Sequence, residues 1–388
     1  MSNSGLSGIQ ASFVRQSVSS NNVSNLRTNG FKSSRADQVE SETGGTSVES
    51  ITRDNRQGAL VSTGRNLDLA IQGEGFFLVN KGGEQRLTRS GSFDVDAEGN
   101  VVNQATGGIL QGKKSPNGPI QNLKIKESER NVSPKVTDSA TLSGNVNANL
   151  ENGESVSTSV DLTNSLGNTK TATFEFTKTS ADTVKLTVED PETGKNALEA
   201  KLTFGSSGQI ESTNVKNSPN SGGSFNGLFM STSDGSAPVK ISGGKLDFSA
   251  VTKQAGDSSV QVASVSGRSS GELESLNVTS SGKLRGSFSN GEERTLGIVQ
   301  TATVRNPGGL ESTSGGLLKT TANSGKIVPG QPDTGGRGSL RSGFLEASNV
   351  NLAGEILDQL TSQRSLNASV STVETKDEMV GELLDLTR

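Results

Sequence analysis

The last 39 residues of the chain carry an apolar stripe with helical spacing and nothing within that segment to pack against. Apolar residues recur there in steps of three and four, which places most of them on one face of an α-helix. Gln363 and Asp377 fill positions where an apolar residue is missing. The stripe consists of Val350, Leu352, Ile356, Leu360, Leu366, Val370, Val373, Val380, Leu383 and Leu386. We therefore predict one long helix, beginning near Asn349 as its N-cap, whose apolar face needs a partner.

A shorter stripe lies near the other end of the chain and consists of Leu6, Ile9, Phe13 and Val23. The residues around it are rich in Ser and Asn, whose side chains compete for backbone hydrogen bonds and weaken a helix. Burying the long stripe is worth on the order of 10 to 20 kcal/mol gross, much of which is offset by ordering the helix. The short stripe cannot cover the long one, so we expect neighbouring copies of the chain to supply the remaining contacts.

Both ends are thus predicted to be helical, to associate in a coiled-coil-like arrangement, and to become fully buried only on assembly. The residues to which we assign subunit assembly are Leu6, Ile9, Phe13, Val23, Leu352, Ile356, Leu360, Gln363, Leu366, Val370, Val373, Val380 and Leu383. In a lone copy these side chains are expected to stay exposed.

Composition argues against an enzyme. The chain has no Cys, His, Trp or Tyr, so the commonest general base, the commonest metal ligand and every thiol are missing. We expect no catalytic residues, no metal and no cofactor. A hydrolase that uses paired carboxylates stays open, but no convergent cluster supports it. The missing disulfides do not assign a compartment, because 388 residues can bury a sufficient core without them.

The charge pattern and the hydropathy exclude further classes. The formal net charge of −4 is spread along the chain, and no basic strip could neutralise phosphates, so nucleic acid is not an expected partner. No run reaches the ~18 to 20 apolar residues that a membrane helix needs, so membrane insertion is not expected. The first residues lack the positive end and apolar core of a cleaved signal peptide, so any export uses another signal.

The middle of the chain is predicted to be β-structure. Residues 173–177 and 184–188 alternate between polar and apolar side chains, and residues 96–100 form a turn sequence between Val95 and Val101. The fold class is therefore mainly β with terminal α-helices, with two nested antiparallel β domains. The predicted layout is a helical terminal domain (1–28 and 350–388), an extended connector (29–70), an inner β domain (71–142 and 288–349) and an inserted outer β domain (143–287).

Two features resemble ligand sites only superficially. The Gly-rich segments 73–75 and 335–338 match neither the phosphate-binding GxxxxGK[ST] pattern nor a GxGxxG between strand and helix. Asp94 and Asp96 lie two residues apart, but the twelve-residue ligand spacing of a calcium loop is missing. We interpret these segments as turns.

Three sequence blocks resemble the axial proteins of the bacterial flagellum, a family that includes rod and hook subunits. The blocks are residues 21–32, residues 63–79 with 88–93, and residues 343–352 with Gln363 and Arg364. Their characteristic residues are Asn22, Asn25, Thr28, Gly30, Phe31, Lys32, Gly73, Gly75, Phe76, Phe77, Ser348 and Asn349. The chain departs from the pattern at Phe31, where Tyr is usual, and at Asn351, where Asp is common.

The inserted region resembles the hook branch of this family more than the distal rod, which has a single β domain. The residues that carry this resemblance are 161–168, 282–291, 306–310 and 320–325. The resemblance implies a structural subunit that polymerises into a curved tube and transmits motor torque. It also implies distal rod, hook cap, hook–filament junction and export-apparatus partners, and an extracellular location reached without a cleaved signal peptide.

Two alternatives stay open at this point. One is a distal rod subunit of the same family. The other is an exported β-rich adhesin, against which the absence of Trp and Tyr argues because sugar rings usually stack on those side chains.

Overall fold

The computed structural model describes residues 4–40, 45–190, 192–216, 227–230, 232, 234–237, 239–242 and 245–386. As predicted, helices at the two ends of the chain flank a middle made of β-strands. Helix α1 spans Ser4–Ser24, α2 is a single turn at Glu127–Arg130, and α3 spans Leu352–Leu386. Within these ranges, no helix has both the length and the apolar character to cross a membrane.

The strands are given in chain order. Those before residue 130 are β1 (Ser34–Glu40), β2 (Thr46–Arg53), β3 (Leu60–Ser62), β4 (Leu69–Gln72), β5 (Phe76–Lys81), β6 (Glu84–Thr88), β7 (Phe93–Val95), β8 (Val101–Asn103), β9 (Ile109–Lys113) and β10 (Gln121–Asn122). The following strands are β11 (Asn131–Val132), β12 (Ala140–Asn147), β13 (Ser155–Thr163), β14 (Thr169–Ser180), β15 (Thr183–Asp190), β16 (Lys195–Phe204), β17 (Ile210–Val215), β18 (Gly227–Met230), β19 (Val239–Ser242), β20 (Leu246–Gln254) and β21 (Gln261–Val265). The strands that complete the chain are β22 (Gly271–Val278), β23 (Lys283–Phe288), β24 (Glu293–Val299), β25 (Thr301–Thr303), β26 (Glu311–Ser312), β27 (Leu318–Lys319), β28 (Val328–Gly330), β29 (Ser339–Ser342) and β30 (Phe344–Glu346).

The chain divides into two compact units. The first comprises Met1–Glu129, Ser275–Ser287 and Glu293–Arg388, and the second comprises Arg130–Glu274 and Phe288–Glu292. The terminal helices therefore group with the first unit. A separate helical terminal domain stays a prediction.

Strand β5 lies at the centre of the first unit and pairs antiparallel with β6, β9 and β25. Its side chains alternate between two apolar clusters, because successive residues of a strand point to opposite faces. Phe76 and Leu78 join one cluster with Leu87, while Phe77 packs edge-to-face on Phe93 with ring centroids 5.2 Å apart. Strand β29 pairs with β4 and β30 with β3, so the chain returning from the insertion lies beside the early strands.

The second unit has its own core between a five-stranded antiparallel sheet, ordered β13-β14-β15-β16-β17, and a three-stranded sheet, ordered β20-β12-β21. On β14, Phe174 and Phe176 are buried while Thr173 and Glu175 are exposed, which is the predicted alternation. One pairing differs from the antiparallel expectation, since β12 pairs with β20 in parallel. A parallel pair needs a long crossover, and the five-stranded sheet lies within this connection.

The predicted connector and domain borders differ from the structure in two places. Residues 29–70 are not simply extended, because β1 and β2 form an antiparallel hairpin that packs on α1. Most of the hairpin's side chains are exposed or half-buried, so its sequence lacks an apolar alternation. The second unit begins before the predicted residue 143, because Ala140 and Leu142 of β12 already belong to its core.

We expect Phe174→Ala to lower the free energy of unfolding by about 3 to 5 kcal/mol, because this ring is fully buried and its loss leaves a cavity. Urea unfolding followed by circular dichroism measures the change. Phe13→Ala is the matched control, since this ring is 56% exposed, and it should stay within about 0.5 kcal/mol of the parent. Equal losses in the two variants would contradict the assigned core.

Candidate assembly surface

Helices α1 and α3 pack against each other in antiparallel orientation. Near the start of α3, the Ser19 hydroxyl donates a hydrogen bond to the backbone oxygen of Glu355 over 3.0 Å. Near the start of α1, a Cβ on Gly5 would lie 2.5 Å from Val373 Cγ2. The two contacts therefore fix both the direction and the register of the pair.

The surface between the helices is lined mainly by small and polar side chains at heptad spacing, together with Leu366 and Val373, and we call it the seam. Its residues are Gly5, Gly8, Ser12, Arg15, Ser19 and Asn22 on α1, and Glu355, Gln359, Ser362, Leu366, Ser369 and Val373 on α3. Ser12, Ser19, Asn22 and Ser362 are buried. Small residues let the helices approach closely, but they bury few apolar atoms, so the seam contributes little hydrophobic stabilisation.

The predicted apolar stripe of α3 divides between two faces. Leu366 and Val373 are half-buried toward α1, and Val350, just before the helix, is buried. The other described stripe residues are 37% to 60% exposed: Leu352, Ile356, Leu360 and Val370 lie on the second face, whereas Val380 and Leu383 lie on the α1-facing side beyond the end of α1. The polar position Gln363 is exposed as well, and the side chain of Leu386 lies outside the described residues. The pairing partner of α1 is thus mainly the polar seam and not the stripe.

The N-terminal stripe is exposed in a similar way. Leu6 and Phe13 are 51% and 56% exposed, while Ile9 and Val23 are half-buried. Further apolar residues of α3 that lie outside the predicted stripe are also exposed, among them Met379, which is 60% exposed. The helix pair therefore presents apolar side chains outward from both of its members, and their role in assembly stays a prediction.

A buried asparagine fixes the base of the helix pair to the hairpin. Asn22 Nδ2 donates to the backbone oxygen of Ser34 over 2.7 Å and to Glu355 Oε1 over 2.8 Å, and Asn22 Oδ1 accepts from Ser34 N over 2.9 Å. Asn25 and Thr28 shape the turn that follows, since Thr28 Oγ1 donates to Asn25 Oδ1 over 3.0 Å. These motif residues thus set the direction in which the chain leaves α1.

A buried carboxylate lies where the chain leaves the helices, and we call this cluster the ionic junction. Glu346 is 1% exposed and binds two cations, Lys32 through Oε1 and Arg89 through Oε2, the latter over 3.1 Å. Glu346 Oε1 also accepts from Gly58 N over 2.9 Å, and Lys32 Nζ donates to the backbone oxygen of Arg56 over 2.7 Å. Four segments distant in sequence therefore meet at one carboxylate.

Burial makes the cations of the ionic junction dependent on Glu346. Desolvation lowers the pKa of Lys32, and the hydrogen bond and the negative charge of Glu346 oppose that shift. Burial likewise lowers the pKa of Arg89, whose Nη2 donates to Gly73 O over 2.8 Å and whose guanidinium lies 5.4 Å from the Phe76 ring centre. Removing the carboxylate would leave two buried positive charges without a carboxylate in direct contact.

Glycine is required beside this junction. A Cβ on Gly30 would lie 2.5 Å from the backbone carbon of Arg89, and Gly30 has φ 73°. Gly73 and Gly75 have φ values of 111° and 118°, which favour glycine as well. Gly30 therefore allows the close backbone contact beside the junction, while Gly73 and Gly75 hold backbone conformations that other residues rarely adopt.

The predicted N-cap of α3 was wrong by two residues. Helix α3 begins at Leu352, and Asn351 Oδ1 accepts from Gly354 N over 3.3 Å, so Asn351 is the cap. Asn349 instead joins the early segment to the late one, because its Oδ1 accepts from Ser33 N over 2.8 Å. Its amide also donates to the backbone oxygens of Asp54 and Arg56 over 2.9 and 3.1 Å.

Most of the motif residues therefore come together around the junction, although the sequence assigned them no contacts. Phe31 O accepts from Asn349 N over 3.4 Å, and Ser348 Oγ accepts from Val350 N over 3.4 Å. Phe77 lies instead in the first unit's core against Phe93. Arg89 and Glu346 were not among the predicted site residues, because a pairing across 257 residues leaves no local pattern in the sequence. Among the described residues, no group of three or more Asp or Glu is arranged to hold a metal.

Comparison with protein-family models identifies the chain. Residues 70–147 match the flagellar hook protein FlgE/F/G D1 domain, residues 130–267 the flagellar basal body protein FlaE D2 domain, and residues 341–386 the C-terminal domain of flagellar basal body rod FlgEFG proteins. Together these models cover residues 70–267 and 341–386, which include most of the second unit, part of the first and helix α3. The chain belongs to the flagellar hook protein family.

Curated relatives extend the match to the whole chain. The flagellar hook protein FlgE of Escherichia coli is 28% identical over 98% of both chains, and that of Borreliella burgdorferi is 28% identical over 99% of this chain and 98% of its own. The Helicobacter pylori hook protein FlgE2 shares the fold, with a TM-score of 0.52, 14% identity, and coverage of 74% of this chain and 100% of its own. This hook protein is therefore a structural subunit of the flagellum, and the family is not known as one of enzymes.

We expect Ser12→Leu to weaken the α1–α3 pair of the hook protein by about 1 to 3 kcal/mol, because a large side chain overpacks the buried seam. Hydrogen exchange of the α1 amides measures the loss. Ser17→Leu makes the same change at an exposed position of the same helix and should leave the exchange nearly unchanged. If Ser17→Leu is the more disruptive variant, the assigned seam is wrong.

Glu346→Gln should lower the free energy of unfolding by about 3 to 5 kcal/mol, because it leaves Lys32 and Arg89 buried without a carboxylate in direct contact. Denaturant unfolding of the full chain measures the loss. The control is Asp94→Asn, which removes the carboxylate of the exposed Arg65–Asp94 pair and should cost under about 1 kcal/mol. A Glu346→Gln variant as stable as the control would show that the junction is not stabilising.

Proposed function

We propose that this hook protein self-assembles into a short curved tube that acts as a flexible joint between motor and filament. In this proposal the terminal helices form the inner wall and the β units lie outside it. The membership of the hook family supports a polymeric flagellar component. The curvature, the torque transmission and the placement of the helices are our proposals.

The observation that carries this proposal is the outward apolar surface of the helix pair. Leu6 and Phe13 on α1, and Leu352, Ile356 and Leu360 on α3, are each 41% to 56% exposed. Burying a large apolar side chain is worth up to about 1.5 to 3 kcal/mol, so a lone copy leaves substantial stabilisation unrealised. Packing between neighbouring helix pairs would supply it.

The polar surface of strand β13 in the second unit supports bending of the assembled tube. On β13 the exposed positions are Ser155, Ser157, Ser159 and Asp161, and none of these side chains is apolar. Contacts between such surfaces are hydrated, and hydrated contacts can shift by small steps without opening a dry core. Strong contacts between helices and adjustable contacts between β units would together give a joint that bends without separating.

The further partners and the route of export are proposals as well. We infer that the tube joins the distal rod at one end. At the other end it contacts the hook cap during growth and then the hook–filament junction proteins. The flagellar export apparatus would deliver the subunit to the cell exterior without a cleaved signal peptide. The resemblance of the sequence blocks supports these inferences.

The double variant Ile356→Ser, Leu360→Ser should abolish polymers while leaving the subunit folded, because both side chains are exposed in the lone copy. Because each side chain is about half exposed in the lone copy, losing about 1.5 to 3 kcal/mol of burial raises the critical concentration at least about tenfold. Sedimentation and negative-stain microscopy of concentrated protein measure it. The control Ile356→Leu, Leu360→Met keeps the apolar character and should still polymerise. Tubes formed by the serine variant at the parent's concentration would refute the role of this face.

A further inference from the structure

Helix α3 extends well past the start of α1. Gly5, in the first turn of α1, lies opposite Val373, whereas α3 continues to Leu386. We call residues 374–386 the overhang, and at 1.5 Å per residue it is about 20 Å long. Every residue from 374 to 383 is exposed. Among the described residues, α1 of the same copy, which begins at Ser4, therefore does not cover this part of α3.

The seam itself continues along the overhang. Steps of three and four from Val373 lead to Lys376, Val380 and Leu383, which keep the heptad spacing of the α1-facing positions. Met379 lies beside them and is 60% exposed. The seam thus changes along α3 from mostly small and polar residues, covered by α1, to the exposed residues Lys376, Val380 and Leu383, of which two are large and apolar.

Charge limits what can cover this apolar seam. The overhang has five acidic residues and one lysine, and Glu374, Glu378 and Glu382 follow one another on a different face from Val380. A second α3 would bring its own carboxylates beside these, and like charges at close range are repulsive. Helix α1 has no acidic residue, and its only charged residue is Arg15.

Helix α1 also presents an unoccupied apolar face. Leu6 and Phe13 are seven residues apart, so they lie on the same face, which is displaced from the seam residues Gly5 and Ser12. Both are more than half exposed. A neighbouring α1 can therefore offer this face to another copy while its own seam stays occupied by its own α3.

We propose that the overhang is the docking site for α1 of a second copy, with Leu6 and Phe13 packing on Val380 and Met379. The proposal rests on the proposed function, since it identifies one contact within the polymer. The contact uses different surfaces on the two copies, and such head-to-tail contacts generate open helical assemblies. One contact of about 13 residues is small, so it holds only when repeated along the tube.

Cysteine pairs test the docking, because the chain has no native Cys. Two singly substituted proteins, Phe13→Cys and Val380→Cys, are mixed, polymerised and oxidised. Within one copy the two sites are separated by about 20 Å along the helix axis, beyond the ~7 Å Cα distance that a disulfide allows. The matched control pairs Phe13→Cys with Glu382→Cys, which lies on the acidic face of the same segment.

We expect the Phe13–Val380 disulfide to form at least about tenfold faster than the control, because disulfide geometry admits only close pairs. If polymers form and the two cysteine pairs oxidise at equal rates, or the Glu382 pair oxidises faster, the docking is overturned and the proposed function stays intact. If the unmodified protein forms no polymer at all, the proposed function itself fails.

If the cysteine variants fail to polymerise, hydrogen exchange on the unmodified protein tests independently whether the overhang is covered in the polymer. The amides of residues 374–383 should exchange at least about tenfold more slowly in the polymer than in dilute subunits, because a docked helix opens less often. Unchanged exchange of this segment in well-formed polymers would overturn the docking site.

Discussion

The first unit depends on the ion pairs that the buried carboxylate of Glu346 forms with Lys32 and Arg89. Lys32 lies in the segment after α1, and Arg89 directly follows β6. A buried ion pair gives little net stability over apolar packing, but a broken one is costly, so the pair enforces one arrangement of its segments. The junction therefore determines where both helices leave the β-structure, and the position of the helix pair follows from it.

Specific hydrogen bonds and close backbone contacts hold the helix pair together more than hydrophobic burial does. Asn22 and Glu355 fix its base through hydrogen bonds, and Gly5 and Gly8 permit close approach farther along. Because the seam uses small polar residues, the large apolar side chains of both helices remain available on other faces. A conventional apolar seam would have stabilised the lone subunit and removed the surface that assembly needs.

The sequence predicted the elements better than it predicted their contacts. The two helices and the alternation of β14 follow from local periodicity, which needs no partner to be recognised. The hairpin of β1 and β2 was missed because it packs on α1 and carries few apolar residues. The division of the α3 stripe could not be predicted either, because serine and glycine at seam positions give no hydrophobic signal until the partner helix is known.

The change of character along α3 links solubility to assembly. Near Ser362 the seam is polar and covered by α1 of the same copy, whereas near Val380 it is apolar and exposed. The carboxylates that flank the exposed part keep it hydrated and keep identical overhangs apart, since like charges repel. Helix α1 has no acidic residue, so these carboxylates do not repel it. Helix α3 can thus pack on α1 of its own copy along its first part and on α1 of a neighbouring copy along its last part.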